Sequence, residues 1–213
     1  MSVQSIPIVL YLIIMAPFTQ AQHSASPVGE YYLQGITETA SGFKLNADSS
    51  FEFFFSYGAL DRMGKGTWRM EEDSLVFNSR QKPAQDFLLY RSRTGLEKEI
   101  IIQLSDSNKQ FMRFIYCTIR GGDKIQHGVA NEQGIITFRP QPVEVIQLLF
   151  ELCPEKKSVF NIAMKDHGFF EFRFQPWIME LFFDDFKLYR GKNSINGPHP
   201  LLIGNHYVYR KAE

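Results

Sequence analysis

The residues able to do chemistry are few and scattered along this chain. A serine or cysteine nucleophile needs a histidine and an orienting acid within reach. No G-x-S-x-G string occurs, and Cys117 and Cys153 lie in strand-like segments, away from any helix start that would lower a thiol pKa. The five histidines, at 23, 127, 167, 199 and 206, show neither H-x-H nor H-E-x-x-H spacing, and no C-x-x-C occurs, so no metal site and no cofactor are expected. Asp166-His167 and Asp184-Asp185 come nearest to clusters, and each reads as a solvated turn. His199, between Pro198 and Pro200, and His206, beside Tyr207, read as surface or hydrogen-bonded groups. Paired carboxylates for glycoside hydrolysis would have to face each other across about 5 to 10 Å, which spacing along a chain does not reveal.

One segment combines suitable residue types at close quarters: Ser56-Tyr57-Gly58-Ala59-Leu60-Asp61-Arg62. Gly58 permits a positive φ, Asp61 can accept backbone donors, and the Arg62 fork can hold a carboxylate such as Glu38 or Asp61. Two readings follow. One is a rigid hairpin connection with an internal ion pair. The other is a ligand site at a barrel rim built from Glu38, Ser56, Tyr57, Asp61 and Arg62, in which Tyr57 stacks and Arg62 contacts an anion.

These residues must be positioned by strands. Apolar residues alternate with period two through most of the chain: Phe51, Phe53 and Phe55 share one face, as do Phe170, Phe172 and Phe174. Turn residues gather at 46–49, 71–73, 105–109, 121–123, 131–134 and 191–193. No convincing helical stripe occurs; residues 143–152 come closest, and their Val/Ile content between Pro142 and Pro154 favours a strand. The 20 Phe, 9 Tyr and 2 Trp suit a small barrel or sandwich. Phe54 and Phe183 fall out of phase with their neighbours, which implies sheet covered on both faces by a second layer or a partner.

Lys+Arg 23 balance Asp+Glu 23, so nothing in the overall charge attracts nucleic acid. The N-terminal 22 residues carry no charged side chain. Residues 6–16 are apolar and precede Pro17 and Thr19-Gln20-Ala21, the pattern of a secretory signal peptide cleaved after Ala21, although no Lys or Arg precedes the apolar run. A membrane anchor would need about 20 apolar residues, so no transmembrane segment is expected in the mature chain. Export permits a disulfide. Cys117 and Cys153 either close a loop of about 37 residues, stabilising by about 3 to 4 kcal/mol, or remain two buried free thiols.

Gly29-Glu30-Tyr31-Tyr32, Ala40-Ser41-Gly42-Phe43-Lys44-Leu45, Asp48, Phe51-Glu52-Phe53, Gly66-Thr67-Trp68 and Asp73-Ser74-Leu75-Val76-Phe77 together resemble the lipocalin-like β-meanders of small exported bacterial proteins. Glu38-Thr39-Ala40-Ser41-Gly42, followed by the S-Y-G-A-L-D loop, is similar to an uncharacterised bacterial exported family that brings no known activity with it. Residues 127–138 and 143–152 are similar to a strand–turn–strand of carboxypeptidase-regulatory and transthyretin-like sandwiches, with Glu132-Gln133-Gly134 in place of an Asp-Gly turn.

The expectation is an all-β protein in three parts: a signal peptide at 1–21, a lipocalin-like antiparallel meander (a half-barrel) at 22–95, and an immunoglobulin- or transthyretin-like β-sandwich region at 96–213, the two folded parts packed through aromatic faces. The resemblance and leader together imply a non-catalytic protein exported to a bacterial periplasm or medium. It would bind a small apolar or amphipathic ligand or another envelope or extracellular protein. The alternatives are a hydrolase with a rim site at the S-Y-G-A-L-D loop and a purely structural protein.

Overall fold

The computed structural model describes residues 26–95, 98–106 and 108–213. The expected signal peptide lies outside the described residues.

Five strands open the chain: β1 (Gly29–Leu33), β2 (Thr39–Leu45), β3 (Ser50–Tyr57), β4 (Leu60–Glu71) and β5 (Ser74–Asn78). Each pairs antiparallel with the next, as a meander does. The chain then leaves this sheet through β6 (Phe87–Thr94), β7 (Ile100–Leu104), a single turn α1 (Lys109–Met112), β8 (Ile115–Gly121), β9 (Lys124–Val129), β10 (Ile135–Phe138), β11 (Val145–Phe150), β12 (Cys153–Asn161) and β13 (His167–Phe174). It returns through the two-residue β14 (Glu180–Leu181) and ends in β15 (Phe186–Arg190), β16 (Ser194–Gly197) and β17 (Tyr207–Lys211).

β15 pairs with β5, β16 with β15, β17 with β16, and β17 with β1, all antiparallel. The circuit β1-β2-β3-β4-β5-β15-β16-β17 therefore closes into an eight-stranded up-and-down barrel. Closure removes every edge that the meander alone would have exposed. The 12-residue β4 is longer than its partner β5, and β14 pairs parallel with the stretch of β4 that β5 leaves uncovered, at Met63 and Gly64. Gly64 admits this close approach, because a Cβ there would run into the ring of Phe183.

Strands β6–β13 form a sandwich inserted between β5 and β15, with sheets ordered β10-β7-β13-β6 and β12-β11-β8-β9. All its pairings are antiparallel except β7 with β13. All-β architecture with a barrel and a sandwich thus agrees with the sequence patterning, but pairing divides the chain differently from the expected break at 95/96. Residues 180–211 complete the barrel, and β6 belongs to the sandwich. Strand periodicity is local, whereas the choice of β17 as the partner of β1 is made across almost the whole chain.

Alternation fills both interiors as the pattern predicted. Phe51, Phe53 and Phe55 point into the barrel with Tyr31, Phe43, Phe77, Phe183 and Tyr209. Rings Phe43–Phe77 and Phe43–Phe53 have centroids 4.8 Å apart, and Phe51–Phe183 are edge to face at 5.1 Å. An eight-stranded barrel is just wide enough to be filled by side chains or to hold one small ligand; here rings occupy the axis. The out-of-phase residues resolve differently. Phe183 is a core residue, while Phe54 stands on the outer barrel wall against Tyr32, with centroids 6.1 Å apart, and remains 37% exposed.

Candidate functional site

In an up-and-down barrel alternate connections share a rim. The β1–β2, β3–β4 and β16–β17 loops therefore lie at the same end as the β5–β15 connection that carries the sandwich. Of the expected rim residues, Glu38 is exposed at positive φ in the first loop, Ser56 pairs with Asp61 in the β3–β4 hairpin, and Gly58 supplies the left-handed turn residue at φ 57°. Tyr57 and Asp61 are exposed. Topology thus gathers Glu38, Ser56, Tyr57 and Asp61 on one rim.

Arg62 behaves otherwise and corrects the reading of an open anion contact. Its side chain points into the barrel mouth and is 1% exposed. Its guanidinium pairs with Glu155 at the start of β12, and Nε donates to the carbonyl of Met179 at 3.0 Å. Neither Glu38 nor Asp61 is its partner. Arg62 is the clasp that joins the barrel to the sandwich, and no local pattern could have nominated Glu155, 93 residues away.

At the same rim His199 is buried within the β16–β17 connection, against Phe55, Tyr207 and Tyr209. The backbone N–H groups of Leu201 and Leu202 donate to Nδ1 at 3.0 and 3.1 Å. The ring proton therefore sits on Nε2, which donates to Ser41 Oγ at 3.1 Å, and Ser41 in turn donates to the carbonyl of Phe54 at 2.9 Å. Burial pushes the imidazole pKa down to about 4. This serine–histidine pair has the wrong polarity for catalysis: a general base must accept the serine proton, and here the histidine donates. Its role is to pin the loop over the barrel mouth, so the reading of His199 as hydrogen-bonded is right and that of a surface group is not.

Between this loop and the sandwich lies a cleft of about 460 Å³. Leu181, Phe182, Phe183, Phe186, Pro200 and Leu201 form its apolar wall, and Lys82, Glu155, Lys156, Glu180 and Asp184 supply charge. Lys156 is buried, with its ammonium 3.4 Å from Asp86 Oδ1, 3.3 Å from the carbonyl of Trp177 and 4.7 Å above the ring of Phe182. Burial lowers its pKa, opposed by the Asp86 charge. Arg80 pairs with Glu180 at 2.8 Å and also lies over Phe182, 5.0 Å from its centroid. Phe182 is thus the exchange point of the two parts: its neighbour Phe183 fills the barrel, while Phe182 carries two cations, Lys156 of β12 in the sandwich and Arg80 of the β5–β6 connection. The expected second layer over the out-of-phase rings is, for this pair, the insert.

The chain matches no protein-family model, and no curated protein or solved structure is significantly similar to it.

Both cysteines are free and buried among the described residues, in the sandwich core. Cys117 lies at the centre of β8 opposite Leu148, and Cys153 Sγ packs 3.7 Å from Met179 Sδ. Burial raises both thiol pKa values, that of Cys153 to about 12, so neither is a nucleophile near neutral pH. No group of three or more potential metal ligands occurs among the described residues, and no described helix is long and apolar enough to cross a membrane.

Proposed function

We propose that this is an exported, non-catalytic binding protein whose small amphipathic ligand lies in the cleft between the barrel rim and the inserted sandwich. The observation that carries the reading is the contrast between a barrel axis filled by rings and an adjoining cleft of about 460 Å³, within the range of small-molecule sites, with an apolar wall and a charged border. The ligand of a hollow lipocalin-like barrel would lie on the axis; here Phe43, Phe51, Phe53 and Phe183 fill that space, and binding moves to the mouth. The S-Y-G-A-L-D hairpin contributes through Arg62, which holds the cleft's Glu155 in place. The leader-like N-terminus supports an extracytoplasmic location.

Titration with the amphipathic dye anilinonaphthalene sulfonate tests the site. Saturable fluorescence enhancement is expected, abolished by Phe182→Asp and retained by Tyr57→Ala. Enhancement indifferent to Phe182→Asp overturns the assignment of the cleft. For export, the mature protein recovered from an extracytoplasmic fraction should begin at Gln22, and an intact N-terminus in that fraction contradicts cleavage.

A further inference from the structure

We infer that Lys156 and Asp86 condense into an intramolecular amide, a covalent cross-link between β12 and the β5–β6 connection that leads into the sandwich. The inference is independent of what the cleft binds, and it begins from placement. Lys156 Nζ lies 3.4 Å from Asp86 Oδ1, and the two side chains are 1% and 2% exposed. That oxygen has no hydrogen-bond partner among the described residues, so the contact lacks the aligned N–H···O geometry of a hydrogen-bonded ion pair. Both partners are fixed from several sides. The Asp86 N–H donates to Ser158 Oγ at 2.8 Å, and Ser158 shares the buried face of β12 with Lys156. The Asp86 carbonyl accepts from the Gln175 N–H at 3.1 Å, and Gln85 Nε2 donates to the carbonyl of Val159, also at 3.1 Å. Lys156 Nζ is oriented by the Trp177 carbonyl at 3.3 Å and covered by the Phe182 ring at 4.7 Å. The nitrogen is thus held against the carboxyl group, the condition under which an intramolecular reaction gains most from proximity.

The chemistry needs no oxidant, reductant or co-reactant. Dry surroundings favour the neutral form of the pair, an amine beside a carboxylic acid, reached from the ion pair by one proton transfer; burial lowers the Lys156 pKa in that sense. The Nζ lone pair attacks Asp86 Cγ, the Nζ–Cγ bond forms and the Cγ–Oδ2 bond breaks. Lys82 Nζ, 3.7 Å from Oδ2, polarises the carboxyl group and protonates the departing oxygen. Of the three protons on the Lys156 ammonium, one stays on the amide nitrogen and two leave with Oδ2 as water, so Lys82 ends charged as it began. Lys82 is 43% exposed, and the leaving oxygen therefore sits on the side from which water can escape. A neutral amide in place of a buried ion pair removes the desolvation cost of two charges.

Mass spectrometry of the purified wild-type chain, folded and then denatured for measurement, tests the inference. The intact mass is expected to fall below that of its sequence by one water. A tryptic digest should contain a branched fragment that joins residues 81–91 to the peptide running through Lys156, uncut at that lysine. Lys156→Met should restore the full mass and release 81–91 as a linear peptide. Lys82→Gln should leave uncondensed chain alongside the product, and complete conversion in that variant overturns the part given to Lys82. A folded wild-type chain of full sequence mass overturns the cross-link. So does a water lost elsewhere, with 81–91 recovered only as a linear peptide from the wild type.

Discussion

The barrel and the sandwich use the same period-two alternation to build different interiors. Around the barrel axis the inward side chains are mostly rings, Phe43, Phe51, Phe53, Phe77 and Tyr209, each within 6.5 Å of others. Between the sandwich sheets they are mostly branched aliphatics, Ile100, Ile102, Ile115, Ile119, Val143, Ile146 and Leu148. Side chains converging on the axis of a closed barrel meet from all sides and must reach across it, whereas facing sheets about 10 Å apart interdigitate with shorter ones. Side-chain size thus tracks the geometry of the space to be filled. The two also differ in how they are assembled: the sandwich is contiguous from β6 to β13, while the barrel is assembled from both ends of the chain around it.

The sharpest way to break the comparison is to cut one core and watch the other. Phe43→Ala should cost about 3 to 5 kcal/mol, and native-state hydrogen exchange should show protection lost in β2 and β3 while β8 and β11 keep theirs. Equal loss in both would mean that the two cores unfold as one unit.

The clasp between them should respond asymmetrically. Glu155→Ala leaves the buried Arg62 guanidinium uncompensated, at about 3 kcal/mol, whereas Arg62→Met leaves Glu155, 43% exposed, to water and should cost about half as much. Urea denaturation of the two variants checks the order, and a larger cost for Arg62→Met would contradict it.

Acid should act on the barrel mouth before it acts on the sandwich. His199 has a folded pKa of about 4 against an ordinary 6.5, so the unfolded chain binds the proton first. Stability is then full above about pH 6.5 and declines as the pH falls toward 4, by about 2 to 3 kcal/mol at pH 4.5. His199→Gln should flatten that slope in melts taken between pH 7 and 4.5.

The smallest effect expected is a gain. The Tyr209 hydroxyl is buried without a hydrogen-bond partner among the described residues, so Tyr209→Phe should raise stability by up to about 1 kcal/mol in the same assay, where the usual expectation for a core change is a loss.

Much of this fold can be read locally. The Phe51/53/55 and Phe170/172 alternations have the faces that periodicity assigns them, the turn residues at 46–49, 121–123 and 191–193 separate strands, and residues 143–152 hold β11 rather than a helix. The site was legible only in part. The rim hairpin was visible as a turn with suggestive neighbours, but Arg62, which looked like a ligand contact beside Glu38 and Asp61, has a structural partner on another sheet. His199 gave no motif because its two backbone donors and its serine acceptor come together only when the loop folds over the barrel mouth. The cleft had no signature, since its lining mixes the return segment at Leu181–Phe183, the β16–β17 loop and the first residues of strand β12.

The sequence by itself determined that the chain is all β, where most strands and turns lie, and which aromatic residues face inward, because side-chain alternation is a property of a few consecutive residues. Only the tertiary structure decided that the meander closes into a barrel through β17, that the sandwich is an insertion, and that the buried Asp86 carboxylate meets both Lys156 and Lys82. Those outcomes depend on which distant segments meet, and on burial that sets the free energy of each charge, and neither quantity is carried by any local stretch of the chain.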